Sequence, residues 1–420
     1  MTAPGPPAGT PATPASAGRT EVLTVYAIGL FQGLSLVAVP AAATILTSKT
    51  SYNLSSSQYG LLFVPQVVMA IAGSLGLPTL GKRFALKWVL LAGLVANTVA
   101  MGLLVGSNPV RTDSIAYPML LVATGSLGLG FGLTLGSIST YAGAFMPQRR
   151  DVALTALNVL LGLGTALSPF LVAIFTSHAQ WWYLPLLAAA GLLVLIVATW
   201  LQPMELPEAG PVAGARAGAA TTEPTGRSAI PMFFWVFAGA LIIYGIGETM
   251  FGNWGTTLLV SKGVAKTGAN DALAVFWAGV TVGRLAIAMV SSRLPSTRIY
   301  VVLPWAMTAA LLLAPVAKTG GAGIAIFAFG GLACSGFFPM TVGYGEATFP
   351  GIVELAAGWL IAFYQVGYGL AAFGAGALQH FTSLSTLFRV AAVVVAVMAL
   401  LAVPIARRQH PLTASRASSS

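Results

Sequence analysis

The sequence predicts an all-α membrane protein in which twelve transmembrane helices form two pseudo-symmetric bundles of six. Three observations carry that prediction. Only 7% of the 420 residues are charged while 57% are apolar, and the mean hydropathy is +0.86. A soluble domain carries about 25% charge. Apolar segments recur along the chain, each near the roughly 20 residues a helix needs to cross about 30 Å of hydrocarbon. The two halves of the chain also echo each other at a nearly constant offset.

In order, residues 1–20 (MTAPGPPAGTPATPASAGRT) cannot bury enough apolar surface to order themselves and are expected to be a disordered cytoplasmic tail. They lack the basic start and short apolar run of a secretory signal peptide. The N-terminal bundle, 21–201, is expected to hold spans at 22–46, 58–80, 86–107, 116–141, 152–176 and 181–201. Residues 202–230, rich in Pro, Gly, Ala and Thr, read as a flexible cytoplasmic linker. The C-terminal bundle, 231–406, is expected to hold spans at 231–258, 271–292, 299–317, 321–345, 354–378 and 384–406, followed by a cytoplasmic tail, 407–420. The seventh span is long enough to tilt or to break near Gly252 and Gly255.

Alternate loops carry Lys82, Arg83 and Lys87, then Arg149 and Arg150, then Arg293 and Arg298, and the C-terminal tail carries Arg407, Arg408 and Arg416. The other loops hold Lys49, Arg111, Lys262, Lys266 and Lys318, spread thinly. The positive-inside rule then puts both termini in the cytoplasm of a protein expected in a bacterial inner membrane.

The repeat is readable residue by residue. A shift of 203 superposes Tyr141 on Tyr344, Pro147 on Pro350, Asp151 on Glu354 and Gly164 on Gly367. A shift of 211 superposes Lys82 on Arg293 and Lys87 on Arg298. Parallel repeats of six helices place a substrate site near the bilayer midplane between them.

Composition also narrows the function. The net charge of +10 is a matter of membrane topology rather than nucleic-acid binding. A single cysteine, Cys334, forms no intrachain disulfide, and His178, His380 and His410 are too scattered for a metal cluster. No nucleophile–base pair marks an enzyme, and no cofactor motif appears. Gly128, Gly130, Gly132 and Gly136 follow no strand and are expected to let helices approach closely, not to cradle a phosphate.

The loop Gly81-Lys82-Arg83-Phe84-Ala85-Leu86-Lys87 resembles that between the second and third helices of the major facilitator superfamily, with Lys82 in place of an acid and Ala85 in place of Gly. Tyr244, Gly245, Gly247 and Glu248, then Gly252, Asn253 and Trp254, then Phe276, Trp277, Gly283 and Arg284 resemble the seventh and eighth helices of its fucose/galactose/glucose–proton symporter branch. Asn158 with Gly162, Gly164 and Pro169 resembles the fifth. The resemblance implies a carrier fold over roughly residues 22–406. The acids that such symporters place in the first and fourth helices are absent, and Gln32 is the nearest polar residue in the first.

Two charges sit deep in apolar segments, where even a lenient scale sets a cost of about 2.5–3.5 kcal/mol each. Glu248 is expected about 25 Å from the cytoplasmic start of its helix and Arg284 about 20 Å from the outer start of its own, so the two need not meet. Tyr244, Glu248, Phe251 and Gly255 share one helix face. Glu248 is either a coupling site that gains and loses a proton or a structural carboxylate. Arg284 either binds substrate or organises a gate with Lys82, Arg83, Lys87, Arg293 and Arg298. The resemblance makes Gln32, Asn158 and Gln365 cavity-lining candidates. Asn253, Trp254, Trp277, Tyr364 and Tyr368 join them as substrate contacts through amides and ring faces, with packing as the alternative for each. Gln66 and Asn97 read as helix glue.

The expected function is alternating-access transport of a small polar, sugar-like solute by a monomer in the lipid bilayer, with the proton as coupling ion. Proton-antiport efflux of hydrophobic compounds is the alternative within transport, and a non-transporting receptor or scaffold the alternative outside it.

Overall fold

The computed structural model describes residues 18–177, 180–206, 231–291, 293–349 and 353–417. Residues 1–17, most of the expected linker, His178 and Pro350 lie outside these, as do the side chains of Asp151, Glu354 and His410.

Among the described residues all regular structure is helical. Helix α1 runs end to end as Arg19–Leu36, Ala38–Ala41 and Ala43–Leu46, and α2 as Ser56–Leu61 and Phe63–Arg83. Then come α3 (Leu86–Ser107), α4 (Ala116–Phe145), α5 (Arg150–Ser177) and α6 (Tyr183–Leu201). The second half has α7 (Phe234–Ser261), α8 (Lys266–Val290), α9 (Ser296–Leu313), α10 (Gly320–Cys334 and Phe337–Thr348), α11 (Val353–Leu378) and α12 (Leu384–Ala417). Eleven of these are long and apolar enough to cross a membrane, and segmented α1 makes the twelfth.

One expectation about helix continuity needs correction, and one segment is helical further than its span. Helix α7 does not break near Gly252 or Gly255. Gly252 instead admits the Trp277 ring and Gly255 the Phe327 ring. Helix α12 continues to Ala417, through most of the segment expected to be a tail.

Three breaks lie four residues before a proline, whereas Pro78, Pro169 and Pro304 sit inside continuous helices. A proline lacks an N–H and its ring crowds the carbonyl four residues earlier. Pro40 does this to Leu36, where the first segment of α1 ends. Pro65 does it to Leu61 in α2, and Pro339 to Ser335 in α10.

Packing repeats between the halves. Helices α1 and α5 close on each other as α7 and α11 do, and α2 packs on α4 as α8 does on α10. The glycines make this possible. A Cβ on Gly164 would overlap the Leu30 carbonyl of α1, and one on Gly367 the Ile242 carbonyl of α7. Gly128 and Gly331, also 203 apart, sit in the same way against the carbonyls of Gln66 and Phe276.

The halves meet along α5 with α8 and α2 with α11. They also touch where the last segments of α1 reach α7. At the end opposite the basic loops, Ser56 Oγ donates to Gln379 Oε1 at 3.1 Å and the His380 Nε2 lies 3.0 Å from Ser57 Oγ.

Candidate functional site

Glu248 lies at the middle of α7, 4% exposed. Tyr364 of α11 donates its phenol to Oε2 at 2.6 Å. Tyr244, one turn earlier on α7, lies 2.7 Å from Oε1 and donates to it. Each carboxylate oxygen thus accepts one charge-assisted hydrogen bond, an arrangement that satisfies an ionised carboxylate without a cation.

The Tyr244 hydroxyl has a second acceptor, the Cys334 carbonyl at 2.8 Å. One phenol proton cannot serve both at once. When Glu248 carries a proton it can donate to Tyr244 Oη while the Tyr244 proton turns to Cys334. Cys334 ends the first segment of α10, so the protonation of Glu248 is linked by one hydrogen bond to the break in that helix.

Arg284 reaches the same break. Its Nε donates to the Ser335 carbonyl at 3.3 Å, the group Pro339 leaves without a helical partner. Its charge acts on the Glu248 carboxylate through space, while the hydrogen-bond partners of that carboxylate are the two phenols. A rise of 1.5 Å per residue puts Arg284 about 9 Å and Glu248 about 21 Å from the basic ends of their helices. The expected axial offset is therefore present.

One turn further along α11, Tyr368 carries the polar chain across the seam between halves. Its hydroxyl accepts from Asn253 Nδ2 at 3.0 Å, and its ring meets the Phe63 ring of α2 edge-on at 6.0 Å. Tyr59 of α2 donates to the Asn253 carbonyl at 3.2 Å and meets the Trp254 ring edge-on at 5.1 Å. The Trp254 indole N–H donates to the Ala372 carbonyl. Asn253 and Trp254 thus join α7 to α2 and α11.

The other expected substrate contacts are dispersed. Gln32 is fully buried inside the first half, where its Oε1 accepts from Asn97 Nδ2 at 2.7 Å. Asn158 is exposed on α5 and donates to the Leu154 carbonyl. Gln365 is buried on α11. Trp277 is half-buried against Gly252, and its indole nitrogen has no protein partner.

Of the expected gate residues, Lys82, Arg83, Arg293 and Arg298 are exposed at the basic end. Lys87 donates to the carbonyls of Trp200 and Gln202, capping α6. We expect K87M to lower stability by about 1–3 kcal/mol, since two carbonyls lose a charged donor. Thermal unfolding of the purified protein checks this.

Sequence reasoning missed two groups here. Glu21 is an acid in the first turn of α1, and its oxygens accept from the Met204 and Gly18 backbone N–H groups, each at 2.8 Å. Glu346 of α10 faces the charge of Arg150 on α5, across the halves at the basic end.

Known proteins share this architecture. Residues 25–321 match the family described as Major Facilitator Superfamily. A curated relative, the MFS-type transporter ungB of Aspergillus violaceofuscus, is 24% identical over 194 residues, 46% of this chain and 33% of that protein. The match thus spans about a third of that relative's length. Among solved structures, the nucleoside transporter NupG superposes with a TM-score of 0.70 at 15% identity, covering 92% of this chain and 99% of that one. A D-xylose-proton symporter superposes with a TM-score of 0.73 at 13% identity, covering 92% and 96%. At such identities the likeness is one of fold.

Proposed function

The chain belongs to the Major Facilitator Superfamily, and on that premise we propose that it is a secondary active transporter moving a small polar, sugar-like solute by alternating access, driven by protons through Glu248. One observation carries the coupling. The buried carboxylate is held by phenols from two helices of the second half, and Tyr244 can trade that contact for the α10 backbone. A carboxylate so placed can take a proton while every donor keeps an acceptor.

The series Glu248, Tyr364, Tyr368 and Asn253, with Tyr59 of α2 on the Asn253 carbonyl, supports the link between protonation and the seam. Tyr364 and Tyr368 are one turn apart on α11, and Tyr368 packs edge-on against Phe63 of α2. Losing or gaining charge at one end can then bias whether the halves stay joined at the other. The exposed amide of Asn158 supports a polar solute, because it offers a donor and an acceptor to a hydroxyl. The two structural neighbours named for nucleoside and xylose transport agree with a hydroxyl-rich solute. On this reading the basic end faces the cytoplasm, as the positive-inside rule favours.

Uptake into proteoliposomes tests this reading. Radiolabelled sugars, polyols and nucleosides are offered with and without an inward proton gradient. Accumulation of at least one, dependent on the gradient, is the expected result. Loss of toxic dyes from loaded vesicles, with no uptake of any polar solute, would replace the reading with efflux.

A further inference from the structure

We propose that the groove between α2, α3 and α4 at the basic end binds an anionic phospholipid, with an acyl chain against the groove and the phosphate on Lys82 and Arg83. The groove encloses about 280 Å³ and is lined by Leu80, Phe84, Trp88, Val89, Ala92 and Leu133, all apolar. Val89 and Leu133 are buried and form its floor. Phe84 and Trp88 are about half exposed and form its walls, and Ala92 leaves room between them. In a chain that spans the bilayer, this surface faces lipid rather than water. An exposed Trp in the first turn of α3, beside a basic loop, marks headgroup depth.

Charge gives the groove its selectivity. Lys82 and Arg83 are exposed in the last turn of α2, at the mouth of the groove, and the Arg83 guanidinium carbon lies 5.5 Å from the centre of the Phe84 ring. Lys87 is already spent on the Trp200 and Gln202 carbonyls and adds nothing to the rim. No acidic residue occurs between Glu21 and Asp113, so the two cations have no carboxylate near them in sequence. A phosphate diester carrying net charge is the ligand that completes them, whereas a zwitterionic headgroup brings its own cation.

The second half supplies an internal control. The shift of 211 that places Lys82 on Arg293 also places Arg83 on Leu294, Phe84 on Pro295 and Trp88 on Ile299. One of the two cations and both aromatic walls are missing from that copy. The groove is therefore a property of the first half's own residues, not a demand of the repeated architecture.

The full-length protein in phosphatidylcholine nanodiscs tests this through Trp88 fluorescence, isolated by subtracting the signal of W88F. Part of the lipid is replaced at equal mole fraction by brominated-chain phosphatidylglycerol or brominated-chain phosphatidylcholine. Quenching of Trp88 should be several-fold stronger with the phosphatidylglycerol. K82Q/R83Q should bring the two lipids level, whereas R293Q/R298Q should leave the preference intact. Raising the salt concentration on the wild-type protein should weaken the preference in the same direction, which serves if K82Q/R83Q does not enter discs. Equal quenching by both lipids in the wild type, or a preference that survives K82Q/R83Q, would overturn the proposal. So would displacement by soluble glycerol phosphate, because a headgroup alone would then suffice.

Discussion

E248Q is expected to abolish proton-driven accumulation of solute while leaving the folded protein and its solute exchange intact. Glutamine keeps the shape of the side chain, and its amide oxygen can still accept from Tyr364. Its NH2 can donate to Tyr244 Oη, whose own proton then turns to the Cys334 carbonyl 2.8 Å away. The variant therefore mimics the protonated state permanently, and the step that releases the proton is lost. E248A is a different experiment. Tyr244 keeps Cys334 as a fallback, but Tyr364 has no second acceptor among its described bonds, so the cost should be about 1–3 kcal/mol of stability as well as transport. Uptake with and without a pH gradient, beside counterflow of labelled solute with none, separates the two variants. Unimpaired gradient-driven accumulation by E248Q would remove Glu248 from the coupling.

G164V and G367V are expected to be among the most damaging single substitutions in the two bundles, and to be damaging alike. Each glycine lets one helix lie directly on the backbone of another, and a Cβ would overlap a carbonyl that has no freedom to move away. Overpacking a tight core costs about 1–3 kcal/mol or more. Here the obstruction is backbone, so the upper end or beyond is expected. G102A and G374A are the contrast. Nothing lies within 4 Å of a Cβ at either position, and alanine favours a helix by about 0.5–1 kcal/mol over glycine. Yield of monodisperse protein and its thermal midpoint check all four. A large loss at only one of Gly164 and Gly367 would break the equivalence of the halves at this layer.

Much of the architecture is legible in the sequence because hydrocarbon imposes a length and a composition that few other folds share. The repeat is legible because Gly164 and Gly367 answer the same steric need at the same place. The kinks are harder, because proline marks three of them but also stands at Pro78, Pro169 and Pro304 inside unbroken helices. Pro40, Pro65 and Pro339 each point four residues back to the carbonyl where a helix breaks, while Gly252 and Gly255 suggest a break that ring packing makes needless. Glu248 stands out in sequence because a lone acid in an apolar run is costly. Its partners do not. Tyr244 can be placed on its face by spacing, but Tyr364 comes from 116 positions away, and the Cys334 and Ser335 acceptors are backbone atoms that no residue code announces. Lys87 shows the converse. Its charge suggests a gate, and its ammonium is used to finish α6.

The most direct test is a distance measurement between spin labels at Lys49 and Lys266, exposed sites at the end of each half opposite the basic loops, in a C334S background. Double electron–electron resonance is recorded in nanodiscs at acidic and alkaline pH, for the wild type and for E248Q. The wild type is expected to redistribute between a shorter and a longer separation as pH changes, with E248Q held at the acidic distribution throughout. A wild-type distribution that ignores pH, or an E248Q protein that still follows it, would contradict the link between this carboxylate and the movement of the two halves.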